Sequence, residues 1–254
     1  MATGSLFERH GGALVDKLPG VLALVRKRLE NEVTRIQALK TISIIADSSS
    51  SRTQAALDAF LACIADELAQ LLRQQNRNVK QMTLRAIDSL LRRALNLPPD
   101  HAQLLKLEVA GLLDDADLQI CTMALCSLML LIEKSPSSSE PLSADTYQRV
   151  LSLAPSPLLN EHALHALIDF LQQVVKREVV PFSVLYADLW GRGAGRLERQ
   201  STGHLARCIA RTLLVAHASE QEAAISSILS HLSEPVEHTK VLALRSIGNY
   251  ISLH

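Results

Sequence analysis

Apolar residues recur along most of the chain at positions i, i+3, i+4 and i+7, the spacing that places them on one face of an α-helix. No stretch sustains the alternation of apolar and polar residues that a half-buried strand requires. Runs rich in proline, glycine, serine or asparagine interrupt the helical spacing, chiefly at 47–51, 96–100, 135–141, 155–157, 191–195 and 234–235. These breaks predict about a dozen helices and an all-α fold.

Every second predicted helix carries a small residue followed directly by an apolar one. The pairs are Ala38-Leu39, Thr83-Leu84, Ala124-Leu125, Ala163-Leu164, Cys208-Ile209 and Ala243-Leu244, about 41 residues apart on average. This interval fits the roughly 40–47 residues of HEAT or armadillo repeats better than the roughly 33–34 of ankyrin or tetratricopeptide repeats. Two helices per interval favour HEAT over armadillo. We therefore predict a HEAT-repeat helical solenoid, a right-handed superhelix of antiparallel helix pairs.

The predicted array is a single domain of about six repeats. Their expected bounds are approximately 13–47, 53–96, 98–134, 143–178, 180–217 and 219–254, and residues 3–12 are expected to be the tail of one preceding helix. A lone helix pair cannot bury its apolar faces, so each pair needs a neighbour. Small residues let helices approach closely, and the apolar residue after each fills the space between layers. Leu125 and Leu164 are expected to be buried for this reason.

The composition fits packed helices and argues against nucleic acid as the main partner. Hydrophobic residues make up 48% of the 254 residues and charged residues 20%, which is typical of a globular protein. Glycine and proline together form about 7% of the chain, against roughly 12% on average. Lysine and arginine number 26 and so do the acidic residues, whereas nucleic-acid binding depends on an excess of cationic contacts to phosphate.

The cysteines and the chain start predict a soluble, intracellular protein. Cys63, Cys121, Cys126 and Cys208 lie within apolar stretches and lack the spacing of a disulfide framework, and no Asn-x-Ser/Thr acceptor occurs. The first residues show no basic segment followed by an apolar one, and no run reaches the roughly 18 apolar residues of a membrane span. We also expect a monomer.

Two candidate metal or catalytic signals are weak. His162 and His165 lie three residues apart on one predicted helix and could share a metal ion, which would suit a metal-dependent hydrolase, but no zinc-protease pattern surrounds them. Cys121 and Cys126 are five residues apart, off the spacing of zinc ribbons, and are expected to be buried apolar residues. Phosphate-binding loops and nucleophile elbows are absent from the sequence. We therefore predict a protein that is not an enzyme and has no cofactor or metal.

The strongest candidate binding feature is a glycine-rich segment with three arginines, Arg192, Arg196 and Arg199, between two predicted helices. Guanidinium groups on an exposed loop can bind carboxylates through two parallel hydrogen bonds. We predict that this loop contacts an acidic partner. The alternative is that the loop is a solvent-exposed insertion that binds no partner.

Four stretches, in the same order along the chain, resemble segments of the cullin-associated exchange factors, a family of large HEAT-repeat proteins. The most specific is residues 154–170, which is similar to a family segment of the form SPLL…ALxAxLDF. The others are 29–35, 84–91 and 205–210.

The resemblance implies a piece of an arch-shaped solenoid, from its central to its C-terminal half. Such proteins wrap an unneddylated cullin and its RING subunit and promote the exchange of substrate-receptor modules. The resemblance assigns no partner-contact residue to a position in this chain. The repeats alone also fit a generic HEAT scaffold, such as a phosphatase regulatory subunit or a nuclear-transport receptor.

Overall fold

The computed structural model describes residues 15–49, 51–94, 96–134, 142–193, 195, 197–233 and 235–253. Within these ranges the chain forms twelve α-helices and no strand, which confirms the predicted all-α fold. The helices are α1 (Leu18–Glu30), α2 (Glu32–Asp47), α3 (Gln54–Arg73), α4 (Arg77–Arg93), α5 (Pro99–Ala110), α6 (Leu118–Lys134), α7 (Ala144–Leu153), α8 (Glu161–Lys176), α9 (Phe182–Arg192), α10 (Arg199–Leu213), α11 (Ala218–Ser230) and α12 (Glu237–Ile251). Single turns of 3₁₀ helix lie at Val15–Lys17, Ser51–Thr53 and His231–Ser233. The helix tail expected at 3–12 and Arg196 lie outside the described residues.

Most even-numbered helices begin at the same kind of cap. Asn31, Asn76 and Asn160 precede α2, α4 and α8, and each side-chain oxygen accepts a hydrogen bond from a backbone N–H two or three residues further on. Asp117, before α6, accepts one from the N–H of Ile120. Such a side chain satisfies a backbone donor that has no partner inside the helix. The asparagine breaks in the sequence therefore mark helix starts.

The helix starts give a more regular repeat than the small-apolar pairs do. The residues before the six even-numbered helices, at 31, 76, 117, 160, 198 and 236, are separated by 45, 41, 43, 38 and 38 residues. Ala38, Thr83, Ala124 and Ala243 each lie seven residues after this position, but Ala163 lies three after it and Cys208 ten after it. The six pairs are therefore not equivalent positions, because the small residue moves by about one helical turn in α8 and α10.

The packing divides the described residues into two compact units. One comprises residues 15–112 and 126–134, and the other comprises 113–125 and 142–253, so α6 contributes to both. In the first unit α1 packs on α2 and α3 on α4, while α1, α3 and α5 form one row and α2 and α4 another. In the second unit α9 packs on α10 and α11 on α12, while α9 contacts α11 and the row of α8, α10 and α12 is continuous. Odd helices contact odd ones and even helices contact even ones, the arrangement of a helical solenoid.

Several polar side chains contact residues 41 positions away, a separation close to the spacing of the helix starts. The hydroxyl of Tyr147 donates to Asp188 Oδ2 over 2.8 Å, and the residues are 41 positions apart. Ser156 Oγ donates to Asp115 Oδ2 over 2.6 Å, again across 41 positions. In the first unit Arg26 Nη2 pairs with Glu67 Oε1 over 2.7 Å at the same separation. Side chains one repeat apart thus lie side by side, which is expected when each pair stacks on the next.

The core consists of aliphatic side chains between these rows. Leu125 and Leu164 are completely buried, as predicted, and the apolar residue of each of the first five pairs is at most 1% exposed. Leu244 of the sixth pair is 61% exposed, so its expected burial is wrong. The physical reason is its place on the helix: α12 buries Leu242, Ala243 and Ser246, and Leu244 lies outside that stripe.

Candidate protein-binding surface

The structure places the two described arginines of the predicted loop on different helices. Arg192 is the last residue of α9, so the loop begins at Gly193 rather than at Gly191, and its Nη2 donates to Gln148 Oε1 of α7 over 2.5 Å. Arg199 is exposed and opens α10, and its backbone carbonyl accepts a hydrogen bond from Arg245 of α12. Arg192 therefore contacts the odd row, whereas Arg199 contacts the even row.

Gly193 fixes the start of this loop. Its N–H closes the end of α9 through a 2.9 Å hydrogen bond to the carbonyl of Trp190. A Cβ atom at this position would overlap Leu242 Cδ2 and lie 3.0 Å from Leu205 Cδ2. Both leucines are buried, so the backbone is packed directly against the core of the second unit. The glycine-rich character of the segment thus reflects close approach at Gly193, whereas Gly191 and Gly195 border open space.

Arg207 of α10 joins α10 to α8 by a charged contact. Its Nη1 donates to Glu161 Oε1 and Oε2 over 2.9 and 2.7 Å, and its Nη2 lies 3.3 Å from His165 Nε2. The hydrogen bond from Arg207 lowers the pKa of the Glu161 carboxyl. His165 therefore faces a guanidinium group, which disfavours a second cation beside it. No group of three His, Cys, Asp or Glu side chains able to hold a metal is present in the part of the chain that the structure describes.

A groove of about 460 Å³ lies between α10 and α12 and includes Arg207 and Arg245. Its lining residues are Gln200, Gly203, His204, Arg207, Arg245, Gly248 and Asn249. None of these seven residues is acidic. His204 is buried beneath the groove, where its Nδ1 lies 2.9 Å from the carbonyl oxygen of Ser156. The groove presents cationic and amide donors, which suits a carboxylate or another anionic group.

Sequence reasoning missed Arg207 and Arg245, because their equivalence is visible only once the helix starts are known. Each lies nine residues after the position that precedes its helix, at 198 and at 236, so the two arginines are equivalent in consecutive repeats. The small-apolar pairs do not show this equivalence, because the pair in α10 lies three residues later in its helix than the pair in α12. The equivalence appears when positions are counted from the helix starts.

The cysteines differ in their surroundings. None of the four forms a disulfide bond, and burial raises the pKa of Cys121 to about 11 and that of Cys208 to about 12. Cys126 is only partly buried, so its expected complete burial is wrong. Cys63 is exposed on α3, where Arg26 Nη1 donates to its sulfur. Burial was expected for Cys121 and Cys126, and the structure confirms it for Cys121 alone.

Comparisons with known proteins identify the relatives of the chain. No protein-family model matches it. Cullin-associated NEDD8-dissociated protein 2 of Mus musculus is 31% identical over 243 residues, which cover 91% of this chain and 19% of that protein. Cullin-associated NEDD8-dissociated protein 1 of Arabidopsis thaliana is 26% identical over 264 residues, or 96% of this chain and 21% of that protein. The chain therefore spans about a fifth of the length of the curated relatives it matches.

Solved structures of similar fold are helical repeat proteins. A designed armadillo repeat protein in complex with the peptide (KR)4 has a TM-score of 0.52 and 14% identity, covering 92% of this chain and 99% of that one. Computationally designed armadillo repeat proteins for modular peptide recognition give the same TM-score, identity and coverage. No helix in the described ranges is long and apolar enough to cross a membrane. The resemblance drawn from the sequence is confirmed: over most of its length, this chain is a HEAT-repeat region homologous to the cullin-associated NEDD8-dissociated proteins 1 and 2.

Proposed function

We propose that the chain acts as a non-catalytic scaffold that binds unneddylated cullin–RING ubiquitin ligases and regulates their assembly. The observation that carries this proposal is the 31% identity, over 91% of the chain, to a protein named for its association with cullins. The solenoid fold supports it, because stacked helix pairs offer extended rows of side chains to a protein partner. Its site of action would be the cytoplasm and nucleus, and its free form a monomer.

We also propose how the helices group into repeats. Each consecutive helix pair, from α1 with α2 to α11 with α12, would be one HEAT repeat, giving a single array of six with bounds close to those expected from the sequence. The hydrogen bonds that join residues 41 positions apart support this division.

The proposed mechanism is differential binding. A scaffold changes the composition of a ligase only if it binds the receptor-free cullin more tightly than the receptor-loaded one. A tenfold preference needs about 1.4 kcal/mol, which one or two charge-assisted hydrogen bonds can supply. Arg192, Arg196 and Arg199 are the residues proposed to contact an acidic surface of the partner. The exposure of Arg199 at the start of α10 supports its part in this role.

The alternative is a generic HEAT adaptor, of the kind that serves as a phosphatase regulatory or nuclear-transport subunit. It shares the fold and differs in the partner, so a binding experiment separates the two. The immobilised chain is incubated with purified cullin–RING complexes, one preparation neddylated and the other not. Preferential capture of the unneddylated complex is expected. Equal capture of both forms, or capture of neither, would overturn the proposal.

The arginine segment is tested in the same assay. Changing Arg192, Arg196 and Arg199 together to Glu is expected to abolish capture, because a cationic contact becomes a repulsive one. The matched control changes three exposed arginines elsewhere, Arg28→Glu, Arg52→Glu and Arg149→Glu, and is expected to bind as the parent does. Equal loss in both variants would show an effect of net charge and contradict the assignment of this segment.

A further inference from the structure

A cation stands at one position in four of the six even-numbered helices, and Cys126 and Asp169 occupy that position in α6 and α8. Arg207 and Arg245 lie nine residues after the position that precedes α10 and α12, and they line the same groove. In the first unit, Lys40 of α2 and Arg85 of α4 occupy the equivalent position and are exposed. Within the second unit, the repetition places two guanidinium groups in one groove. The pair suits a ligand segment with two neighbouring anionic groups.

The hydrogen bonds of the two groove arginines leave donors available. Arg245 uses Nη1 for the carbonyl of Arg199, so that contact orients the guanidinium while its Nε and Nη2 take no part in it. Arg207 donates through Nη1 to Glu161 and lies near His165 through Nη2, so that its Nε takes no part in these contacts. As whole residues, Arg207 and Arg245 are half-buried.

Two glycines create the space between these arginines. A Cβ atom at Gly248 would meet nothing within 4 Å, and one at Gly203 would lie 3.5 Å from Arg245 Nη1, an ordinary contact. Neither glycine has the left-handed backbone conformation that excludes other residues. The fold therefore has room for a Cβ atom at both positions. The effect of these glycines is to leave the groove open.

We infer that the groove between α10 and α12 binds an acidic segment of a partner protein. An Asp or Glu side chain of that segment pairs with Arg245, a neighbouring one pairs with Arg207, and the amides of Gln200 and Asn249 donate to its backbone carbonyls. The inference is carried by the absence of acidic side chains among the lining residues and by the repeat of arginine at equivalent positions. It applies to any partner with such a segment and does not require that partner to be a cullin.

The test measures binding of a fluorescein-labelled (Asp-Glu)4 peptide to the full chain by fluorescence anisotropy. Saturable binding that weakens with added salt is expected, with a (Lys-Arg)4 peptide bound at least tenfold more weakly. Arg207→Gln and Arg245→Gln are each expected to weaken binding about tenfold, the effect of losing one charge-assisted hydrogen bond. The control Arg149→Gln, on α7, is expected to bind as the parent does. Binding that both groove variants retain would overturn the inference.

A steric variant separates the groove from a general charge effect. Gly248→Leu leaves every charge unchanged and fills the groove, so peptide binding is expected to fall at least tenfold while the melting temperature does not fall. Gly20→Leu is the matched control, because Gly20 is a helical glycine of α1 whose Cβ would also meet nothing within 4 Å. Parent-like peptide binding by Gly248→Leu would place the ligand elsewhere and overturn the inference.

Discussion

The hydroxyl of Ser127 on α6 donates a 2.5 Å hydrogen bond to Asp88 Oδ1 on α4, two residues 39 positions apart. Burial raises the pKa of the Asp88 carboxyl to about 6, and the bond from Ser127 and the charge of Arg92 act in the opposite direction without cancelling it. A carboxyl whose pKa is higher in the folded state binds protons more tightly there. Its contribution to stability is therefore greatest at low pH and is lost as the pH rises from about 4 to about 6.

Asp88→Asn is expected to stabilise the protein above pH 6. The amide keeps an oxygen for Ser127 and removes a charge that is costly to bury, so the free energy of unfolding should rise by about 1–3 kcal/mol at pH 7.5. The gain should shrink as the pH falls toward 4. Urea unfolding of both proteins between pH 4.5 and 7.5 measures it. Asp66→Asn, at an exposed position on α3, is the control, and a gain at Asp88 that does not vary with pH would contradict the explanation.

Gly193→Ala is expected to destabilise the protein by about 1–3 kcal/mol, because its Cβ would overlap Leu242 in a packed core. Leu205 and Leu242 are at most 1% exposed and have little room to move. Gly195→Ala, two residues further on, meets open space and should leave stability within about 0.5 kcal/mol of the parent. Thermal or urea unfolding of the two variants checks the difference. A similar effect of both substitutions would argue against close packing at Gly193.

Leu125→Ala and Leu164→Ala are each expected to lower the free energy of unfolding by about 2–5 kcal/mol, since each removes a fully buried side chain and leaves a cavity. Leu107→Ala, on α5, removes a side chain that is 55% exposed and should cost less than about 1 kcal/mol. Urea unfolding monitored by circular dichroism measures all three. Equal losses would be inconsistent with the assigned core.

Asn160→Ala is expected to cost about 1 kcal/mol, because its side chain caps α8 through a 2.9 Å hydrogen bond from the N–H of Ala163. Asn78→Ala is a suitable control, since Asn78 lies inside α4 and is exposed. The control should be neutral or slightly stabilising, as alanine favours helix. Denaturant midpoints of the two variants give the comparison, and an unchanged midpoint for Asn160→Ala would rule out the cap as a source of stability.

The candidate surface was only partly predictable. We expected arginines to bind an acidic partner, and the glycine-rich segment pointed to Arg192, Arg196 and Arg199. The groove is lined by two further arginines, Arg207 and Arg245. Arg207 lies within a helix, where a charged residue gives no local sign of a neighbour 38 positions further on. Only the stacking of α10 on α12 brings the two together.

The sequence by itself determined the helices, the repeat of about 41 residues and the family resemblance. These properties depend on local spacing, on caps such as Asn31 and Asn160, and on apolar stripes that each helix carries in its own residues. The tertiary structure decided which residues at that spacing meet. It set the register of α8 and α10, the overlap that requires glycine at Gly193, and the groove between Arg207 and Arg245. Side chains far apart in the chain are brought together only by the packing of whole helices, and no local pattern encodes that distance.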